Sequence, residues 1–219
     1  MLRWVRSGVV SLALICTALG SAAACAQTAA PAGNAAHGKA ISYTCLGCHG
    51  IKGYRNAYPN YSVPKLEGQH PEYIVAALQA YRSGDRSQMT MHSQASSLSD
   101  QDMADIAAFF AGTPLQAHPA TAGASASTVP AAAAVCVACH GTDGVGIVAQ
   151  YPTLSGQHQD YLARALADYK SGARKNLVMA GMVTTLKDAD IEVVAAYYAG
   201  LKPSLETLER PYTILSVGR

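Results

Sequence analysis

The sequence has no excess of charge of either sign. Among its 219 residues, 16 are Lys or Arg and 14 are Asp or Glu. Two of the basic residues, Arg3 and Arg6, stand near the N-terminus, and without them the basic and acidic totals are equal. Proteins that bind nucleic acid through its phosphates need a basic surface, so we expect no nucleic-acid partner.

The sequence also lacks an apolar run long enough for a comfortable membrane span. The run at 9–19 follows two arginines and precedes the small residues Ala24-Cys25-Ala26, which is the pattern of an export signal. We therefore predict a signal peptide at residues 1–26 and a periplasmic protein. Two alternatives stay open: Cys25 could accept a lipid, as in bacterial lipoproteins, or the segment could be kept as an anchor. Either would attach the protein to the membrane.

No cysteine is left over for a structural disulfide. Cys16 and Cys25 fall in the predicted signal peptide, and the other four of the six cysteines form two pairs. Each pair has the form CxxCH, as Cys45-Leu46-Gly47-Cys48-His49 and as Cys136-Val137-Ala138-Cys139-His140. Two short disulfides or a four-cysteine zinc site are alternatives, but neither explains the histidine after each second cysteine.

The CxxCH motif is the attachment motif for haem c. Its thiols add across the two vinyl groups of a haem, and the histidine then lies below the ring, where its imidazole reaches the iron. Two motifs predict two covalently bound haem c groups. The first is held by Cys45 and Cys48 with His49 as axial ligand, the second by Cys136 and Cys139 with His140.

The rest of the chain contains one unit twice. A shift of 88 residues aligns 64–112 with 152–200 without a gap, and about 20 of the 49 pairs are identical. The haem motifs are 91 residues apart, so the first copy has three extra residues between His49 and Pro64. We predict domains at 33–113 and 130–203, a linker rich in Ala, Ser, Thr, Gly and Pro at 114–129, and a tail at 204–219. Apolar residues of the tail could pack across the domains or bind a partner: Leu205, Leu208, Tyr212, Ile214 and Leu215.

No alternating strand pattern occurs, and the apolar residues recur at helical spacing. We predict helices at 34–43, with Asn34 as N-cap, and at 71–81 and 159–169. A last helix in each copy begins at Ser99 or Lys187 and ends at Gly112 or Gly200. The fold class is therefore all-α.

A second axial ligand is expected from the segment before each last helix. Of the methionines in the first copy, only Met91 has a methionine at the equivalent position, Met179. We assign Met91 to the iron of His49 and Met179 to the iron of His140, both in loops; the alternative is that they fill the core.

His70 and His158 also repeat and are the rival ligands. They follow the proximal histidines by only 21 and 18 residues and begin helices, so packing at the helix start is the preferred role. The remaining histidines are expected at the surface: His37, His92 and His118.

These residues resemble the dihaem class I cytochromes c of the cytochrome c4 type. Besides the CxxCH motifs and distal methionines, the resemblance includes the Gly-Gln-His-x-x-Tyr segments, the Tyr-x-Ser-Gly-x-Arg turns that end at Arg86 and Arg174, and the Leu-x-Asp-x-Asp helix starts. It implies two tandem class I cytochrome c domains, each wrapped around one haem, with pseudo-twofold symmetry and haem edges close together. One departure is the helix before the second haem motif, which is compressed to residues 129–135.

The resemblance implies a periplasmic electron carrier between a quinol-oxidising complex and a terminal oxidase or another acceptor. No pair of carboxylates, nucleophile with histidine, or phosphate-binding loop suggests an enzyme. The alternative is a cytochrome subunit of a periplasmic dehydrogenase, or a haem enzyme with an open iron site.

Overall fold

The computed structural model of the protein describes residues 31–112 and 128–209. The predicted signal peptide, most of the predicted linker, the last part of the tail and His118 lie outside the described residues. Within these ranges the regular structure is helical, apart from three isolated antiparallel bridges. The helices are α1 (Ala35–Ile41), α2 (Leu46–His49), α3 (Pro71–Ser83), α4 (Met89–Ser96), α5 (Asp100–Ala111), α6 (Val137–His140), α7 (Gln159–Ser171), α8 (Leu177–Val183) and α9 (Asp188–Gly200).

Five of these helices confirm predictions from the sequence. The Asn34 side chain caps α1 by accepting hydrogen bonds from two backbone N–H groups. Helices α3 and α7 each end at a glycine in the left-handed conformation, Gly84 and Gly172. Helix α5 begins with a capping box between Ser99 and Asp102, and α9 repeats its position in the second copy.

The prediction that Met91 and Met179 lie in loops is wrong. Met91 belongs to α4 and Met179 to α8. A polar residue caps each helix and accepts a hydrogen bond from the methionine N–H, at 2.7 Å for Gln88 and 3.0 Å for Asn176. Both helices are short, so a helical period of apolar residues has no room to develop.

The expected compression before the second haem motif is present. The first copy has α1 there, whereas the second has a single 3₁₀ turn, Ala131–Ala133. Ala133 of this turn is fully buried and packs in the second core together with residues of α9.

Each copy has its own apolar core. The first contains Ile74, Leu78, Ala95, Met103, Ile106, Ala107 and Phe110. The second contains Ala133, Leu162, Ala163, Val183, Leu186, Ile191, Val194, Ala195 and Tyr198. In the first copy α5 packs against both α1 and α3, and in the second α9 packs against α7.

The two copies meet through reciprocal hydrogen bonds. The Gln69 side chain bonds both backbone groups of Thr153, at 3.0 Å to the carbonyl and 2.9 Å from the N–H. Gln157 forms the same pair with Lys65, at 3.0 Å each. Each partner is related to the other by the same shift of 88 residues. The interface therefore maps onto itself when the copies are exchanged, as pseudo-twofold symmetry requires.

The loop with the three extra residues of the first copy also contacts the second. Arg55 forms an ion pair with Asp160 at 2.8 Å. The same carboxylate oxygen accepts hydrogen bonds from the N–H and the hydroxyl of Ser62, at 2.9 and 3.0 Å. The insertion therefore adds an interdomain contact that the repeat alone does not supply.

Candidate haem sites

The first CxxCH motif occupies one short helical turn. Cys45 is the N-cap of α2, and Cys48 and His49 lie within it. Here the two free thiols stand for the sulfurs of the thioether bonds to haem. The turn brings all three groups to one place in the fold, as covalent attachment and iron binding require together.

The first proximal histidine is buried and oriented by a backbone carbonyl. His49 is 9% exposed, and its Nδ1 lies 2.8 Å from the carbonyl oxygen of Pro64. Because a carbonyl oxygen only accepts, Nδ1 carries the proton and Nε2 keeps a free electron pair for iron. Burial lowers the pKa of His49, and the bond to Pro64 opposes this only in part, so the imidazole is held in its neutral, metal-binding form.

One cavity brings together the predicted haem-binding residues of the first copy. Cys45, Cys48, His49 and Met91 all line it. Much of the remaining wall is apolar: Ile41, Val63, Leu66, Ile74, Leu78, Leu98, Ile106 and Phe110. Its wall also includes Thr153, Leu154 and Tyr161 of the second copy. Two thiols, an imidazole and a thioether in one largely apolar cavity are the groups that a haem c with histidine and methionine ligands requires.

The second site repeats this arrangement. His140 is 6% exposed, and its Nδ1 lies 3.0 Å from the Pro152 carbonyl oxygen, the equivalent of Pro64. Burial lowers the pKa of His140. Cys136 and Met179 are both partly buried against the second core. The ring of Tyr198 in that core lies 6.3 Å from the His140 ring, edge to face.

The other histidines are placed elsewhere. His70 and His158 are the N-cap residues of α3 and α7, and neither lines the cavity of the first copy. His37 is exposed as expected and contacts Asp105 at 2.7 Å. His92, expected at the surface, is half-buried because its Nδ1 bonds to the Tyr81 carbonyl oxygen at 2.7 Å.

Two buried arginines meet at the domain interface. Arg86 is 8% exposed and Arg174 7% exposed, and both donate to the hydroxyl of Tyr73, at 3.2 and 2.7 Å. Burial raises the pKa of Tyr73, but Arg174 and Arg86 outweigh that effect and lower it to about 8. Among the described residues neither arginine forms an ion pair with a carboxylate.

The arginine pair fits a haem protein. Buried guanidinium groups need anionic partners, and the Nε atom of Arg174 is buried without a hydrogen-bond partner. Arg86 lines the cavity of the first copy. Carboxylate groups such as the two propionates of each haem match this requirement. The sequence showed both arginines at repeated positions but had no signal that they meet across an interface.

Comparisons with known proteins agree with this geometry. Residues 35–113 and 129–202 each match the family model for cytochrome c. A cytochrome c4 of Pseudomonas aeruginosa is 36% identical over 187 residues, which cover 78% of this chain and 90% of that protein. A cytochrome c4 of Azotobacter vinelandii is 33% identical over 196 residues, with the same two coverages, 78% and 90%. The crystal structure of reduced recombinant cytochrome c4 from Pseudomonas stutzeri has a TM-score of 0.61 and 30% identity, and covers 78% of this chain and 100% of that chain.

Two helical domains, each with a CxxCH turn beside an apolar core, define a dihaem c-type cytochrome, which is an electron-transfer protein. The chain belongs to the cytochrome c family and, within it, to the cytochromes c4. The predicted all-α fold of two cytochrome c domains and the predicted two haem c groups are thereby confirmed. In residues 31–112 and 128–209, no helix is long and apolar enough to cross a membrane.

Proposed function

We propose that the protein carries single electrons between redox partners in the periplasm and catalyses no substrate chemistry. In this proposal each haem has two axial ligands, His49 with Met91 and His140 with Met179. The observation that carries the proposal is the presence of His49 and Met91 in the wall of one cavity, together with both cysteines of the motif. An iron with both axial positions filled has no site for a substrate, but it changes oxidation state readily.

The chain's own residues would tune this chemistry. The carbonyls of Pro64 and Pro152 hold each proximal imidazole in the tautomer that frees Nε2. The apolar wall of the first cavity would keep water away from the iron, and a thioether ligand would stabilise the ferrous state, so we expect positive reduction potentials. The buried pair Arg86 and Arg174 would neutralise haem propionates at the interface.

A redox titration of the holoprotein, followed by visible and near-infrared absorption, tests the ligation. Ferric haem with a thioether ligand has a weak near-infrared band that bis-histidine haem lacks, and both haems are expected to contribute to it. Met91→Leu and Met179→Leu should each remove about half of the band and leave the other haem's share.

Two other methionines supply matched controls for this experiment. Met103 is fully buried in α5, and Met182 is 46% exposed in α8. Met103→Leu and Met182→Leu conserve side-chain volume and should leave the band intact. A band that survives Met91→Leu but falls in Met103→Leu would refute the assignment of Met91.

The proposed donor is a quinol-oxidising complex, and the proposed acceptor is a terminal oxidase. Export by the predicted signal peptide supports a periplasmic location, with membrane attachment if the N-terminal segment is lipidated or kept as an anchor. The net charge is close to zero, so we expect only a weak dependence of the electron-transfer rate on ionic strength.

A second candidate is the electron acceptor or cytochrome subunit of a periplasmic dehydrogenase. A protein of Stutzerimonas stutzeri named thiosulfate dehydrogenase electron acceptor is 31% identical over 175 residues, covering 72% of this chain and 78% of that protein. A thiosulfate dehydrogenase structure from Marichromatium purpuratum has a TM-score of 0.57 and 29% identity, covering 71% of this chain and 36% of that chain. Stopped-flow reduction by thiosulfate with its dehydrogenase, compared with reduction by a quinol-oxidising complex, distinguishes the two roles.

A further inference from the structure

The second domain sends a segment across the first. After α9 the chain passes Pro203 and continues as residues 204–209, here called the strap. The N–H groups of Ser204 and Leu205 both donate to the Ser155 carbonyl of the second domain, at 3.3 Å each. The next residue, Glu206, exchanges two backbone hydrogen bonds with Glu67 of the first domain, at 3.0 and 3.2 Å. The strap is therefore bound to both domains.

The end of the strap lies against the haem-binding turn of the first domain. Leu208 is partly buried against the first core, as is Leu46 of α2. The Leu208 carbonyl oxygen lies 3.0 Å from the place that a Cβ atom would take at Gly50, the residue directly after His49. Glu209 forms an ion pair with Lys52. The strap backbone thus comes close to the chain immediately beyond the proximal histidine.

The contacts of the strap lie beside both segments that hold the proximal imidazole. The orienting hydrogen bond joins Nδ1 of His49 to the Pro64 carbonyl oxygen at 2.8 Å. Leu208 lies beside the residue that follows His49, and Glu206 pairs with Glu67, three residues beyond Pro64. Hydrogen bonds to the ligand and the exclusion of water both tune the reduction potential of a haem.

We propose that the strap is a positioning element for the proximal ligand of the first haem, so that the second domain sets the reduction potential of the haem in the first. The inference rests on the proposed function, in which His49 is an iron ligand. Release of the strap admits water to the His49–Pro64 hydrogen bond and stabilises the ferric form, so the potential of the first haem falls. The second haem is unaffected when the end of the strap is released, because Leu208 and Glu209 contact only the first domain among the described residues.

The test is Leu208→Ala in two backgrounds that mark the haems. In Met179→His the remaining methionine-ligated haem is the first, and in Met91→His it is the second. In the first background Leu208→Ala should lower the reduction equilibrium constant of the methionine-ligated haem about three- to tenfold, up to about 59 mV for a one-electron couple. In the second background the methionine-ligated haem should keep its potential.

Controls separate positioning from general loosening of the fold. Leu208→Met should leave the potential of the first haem close to the wild-type value, because methionine fills the same apolar contact. Glu209→Gln should also change this potential little, because an exposed ion pair contributes little. Amide hydrogen exchange at Glu67 reports release of the strap independently of the haem. If Leu208→Ala does not fold, Leu208→Val serves in the same comparison with a smaller expected shift.

Two outcomes overturn the inference. One is faster exchange at Glu67 with no change in the potential of the first haem, and the other is an equal shift at both haems. Failure of the proposed function looks different, because Met179→His would then leave the full thioether band in place. In that case Leu208→Ala in the otherwise wild-type protein still tests the strap. A shift in the midpoint potential of one haem would support the inference, and a shift in both would overturn it.

Discussion

Asp105 is a nearly buried carboxylate in α5 with three hydrogen-bond partners. Its side chain is 4% exposed, and it accepts from the Asn34 N–H at 2.7 Å and from Gln101 at 2.8 Å. His37 contacts its other oxygen at 2.7 Å. These bonds join the start of α1 to α5, so one residue connects two helices that pack against each other in the first domain.

The hydrogen bonds of Asp105 predict acid sensitivity of the first domain. The bonds from Asn34, Gln101 and His37 lower the pKa of Asp105 below its ordinary value of 3.8. The unfolded chain therefore binds the proton at higher pH, so the stabilisation is complete above about pH 4 and is lost as the pH falls through the folded pKa. Asp105→Asn should destabilise the holoprotein at pH 7, and the difference from wild type should shrink as the pH falls toward 3.

Hydrogen exchange of α1 and α5 amides measures this effect. The second domain supplies an internal control, because the position equivalent to Asp105 is Val193, which is 44% exposed on α9. Exchange in α9 should respond little to Asp105→Asn. Equal acceleration in both domains, or a difference that grows as the pH falls, would contradict the prediction.

At the scale of elements, helices with a cap and an amphipathic period could be predicted from the sequence. Helix α1 has its Asn34 cap, and α5 has its capping box, both formed by residues within three positions of each other. Helices α4 and α8 could not be predicted in the same way. They are short, and packing on each domain's core stabilises them rather than a period of their own.

The crossing of α1 over α5 predicts a strict need for glycine at one position. A Cβ atom at Gly38 would lie 1.9 Å from the Asp105 carbonyl oxygen and 2.5 Å from its carbon. Gly38→Ala must push the helices apart, and we expect a loss of about 1–3 kcal/mol or more in the free energy of unfolding. Urea unfolding followed by far-ultraviolet circular dichroism measures it.

Gly181 in α8 is the matched control for this substitution. It is exposed, and a Cβ atom there would have no neighbour within 4 Å. Gly181→Ala should be neutral or should stabilise by up to about 1 kcal/mol, because alanine restricts the unfolded chain and favours a helix. Similar losses for the two variants would show that close packing at Gly38 is not the cause.

At the scale of the whole molecule, the interface depends on two equivalent glutamines. Gln69 holds both backbone groups of Thr153, which is 1% exposed, whereas Gln157 holds the half-buried Lys65. Gln69→Ala leaves a buried N–H and carbonyl without partners, at a cost on the order of 1–3 kcal/mol. Gln157→Ala should weaken the interface less, because water can reach Lys65.

Urea unfolding and small-angle scattering of the holoprotein measure this prediction. The expected order of stability is wild type, then Gln157→Ala, then Gln69→Ala, with a larger radius of gyration where the domains separate. Gln159→Ala is the control, because within residues 31–112 and 128–209 its side chain forms one hydrogen bond, an exposed one of 3.5 Å to Glu192. A control that loses as much stability as Gln69→Ala would argue against an interface effect.

The sequence by itself determined the two haem-binding motifs, the duplication and the main helices. These features depend on residues close in the chain, such as the CxxCH turn or the Ser99 cap, or on a shift that alignment detects. The assignment of Met91 and Met179 as ligands stays a prediction, although Met91 does line the first cavity.

Only the tertiary structure decided how the copies meet. It joined Gln69 to Thr153, brought Arg86 and Arg174 to one tyrosine, and placed the strap beside the first haem-binding turn. These partners are far apart in the chain, by 101 positions for Arg174 and Tyr73, and no local period or cap encodes which distant surfaces are complementary. Burial removes water from those contacts, so the strength of each hydrogen bond depends on how the folded protein packs around it and not on the residue types alone.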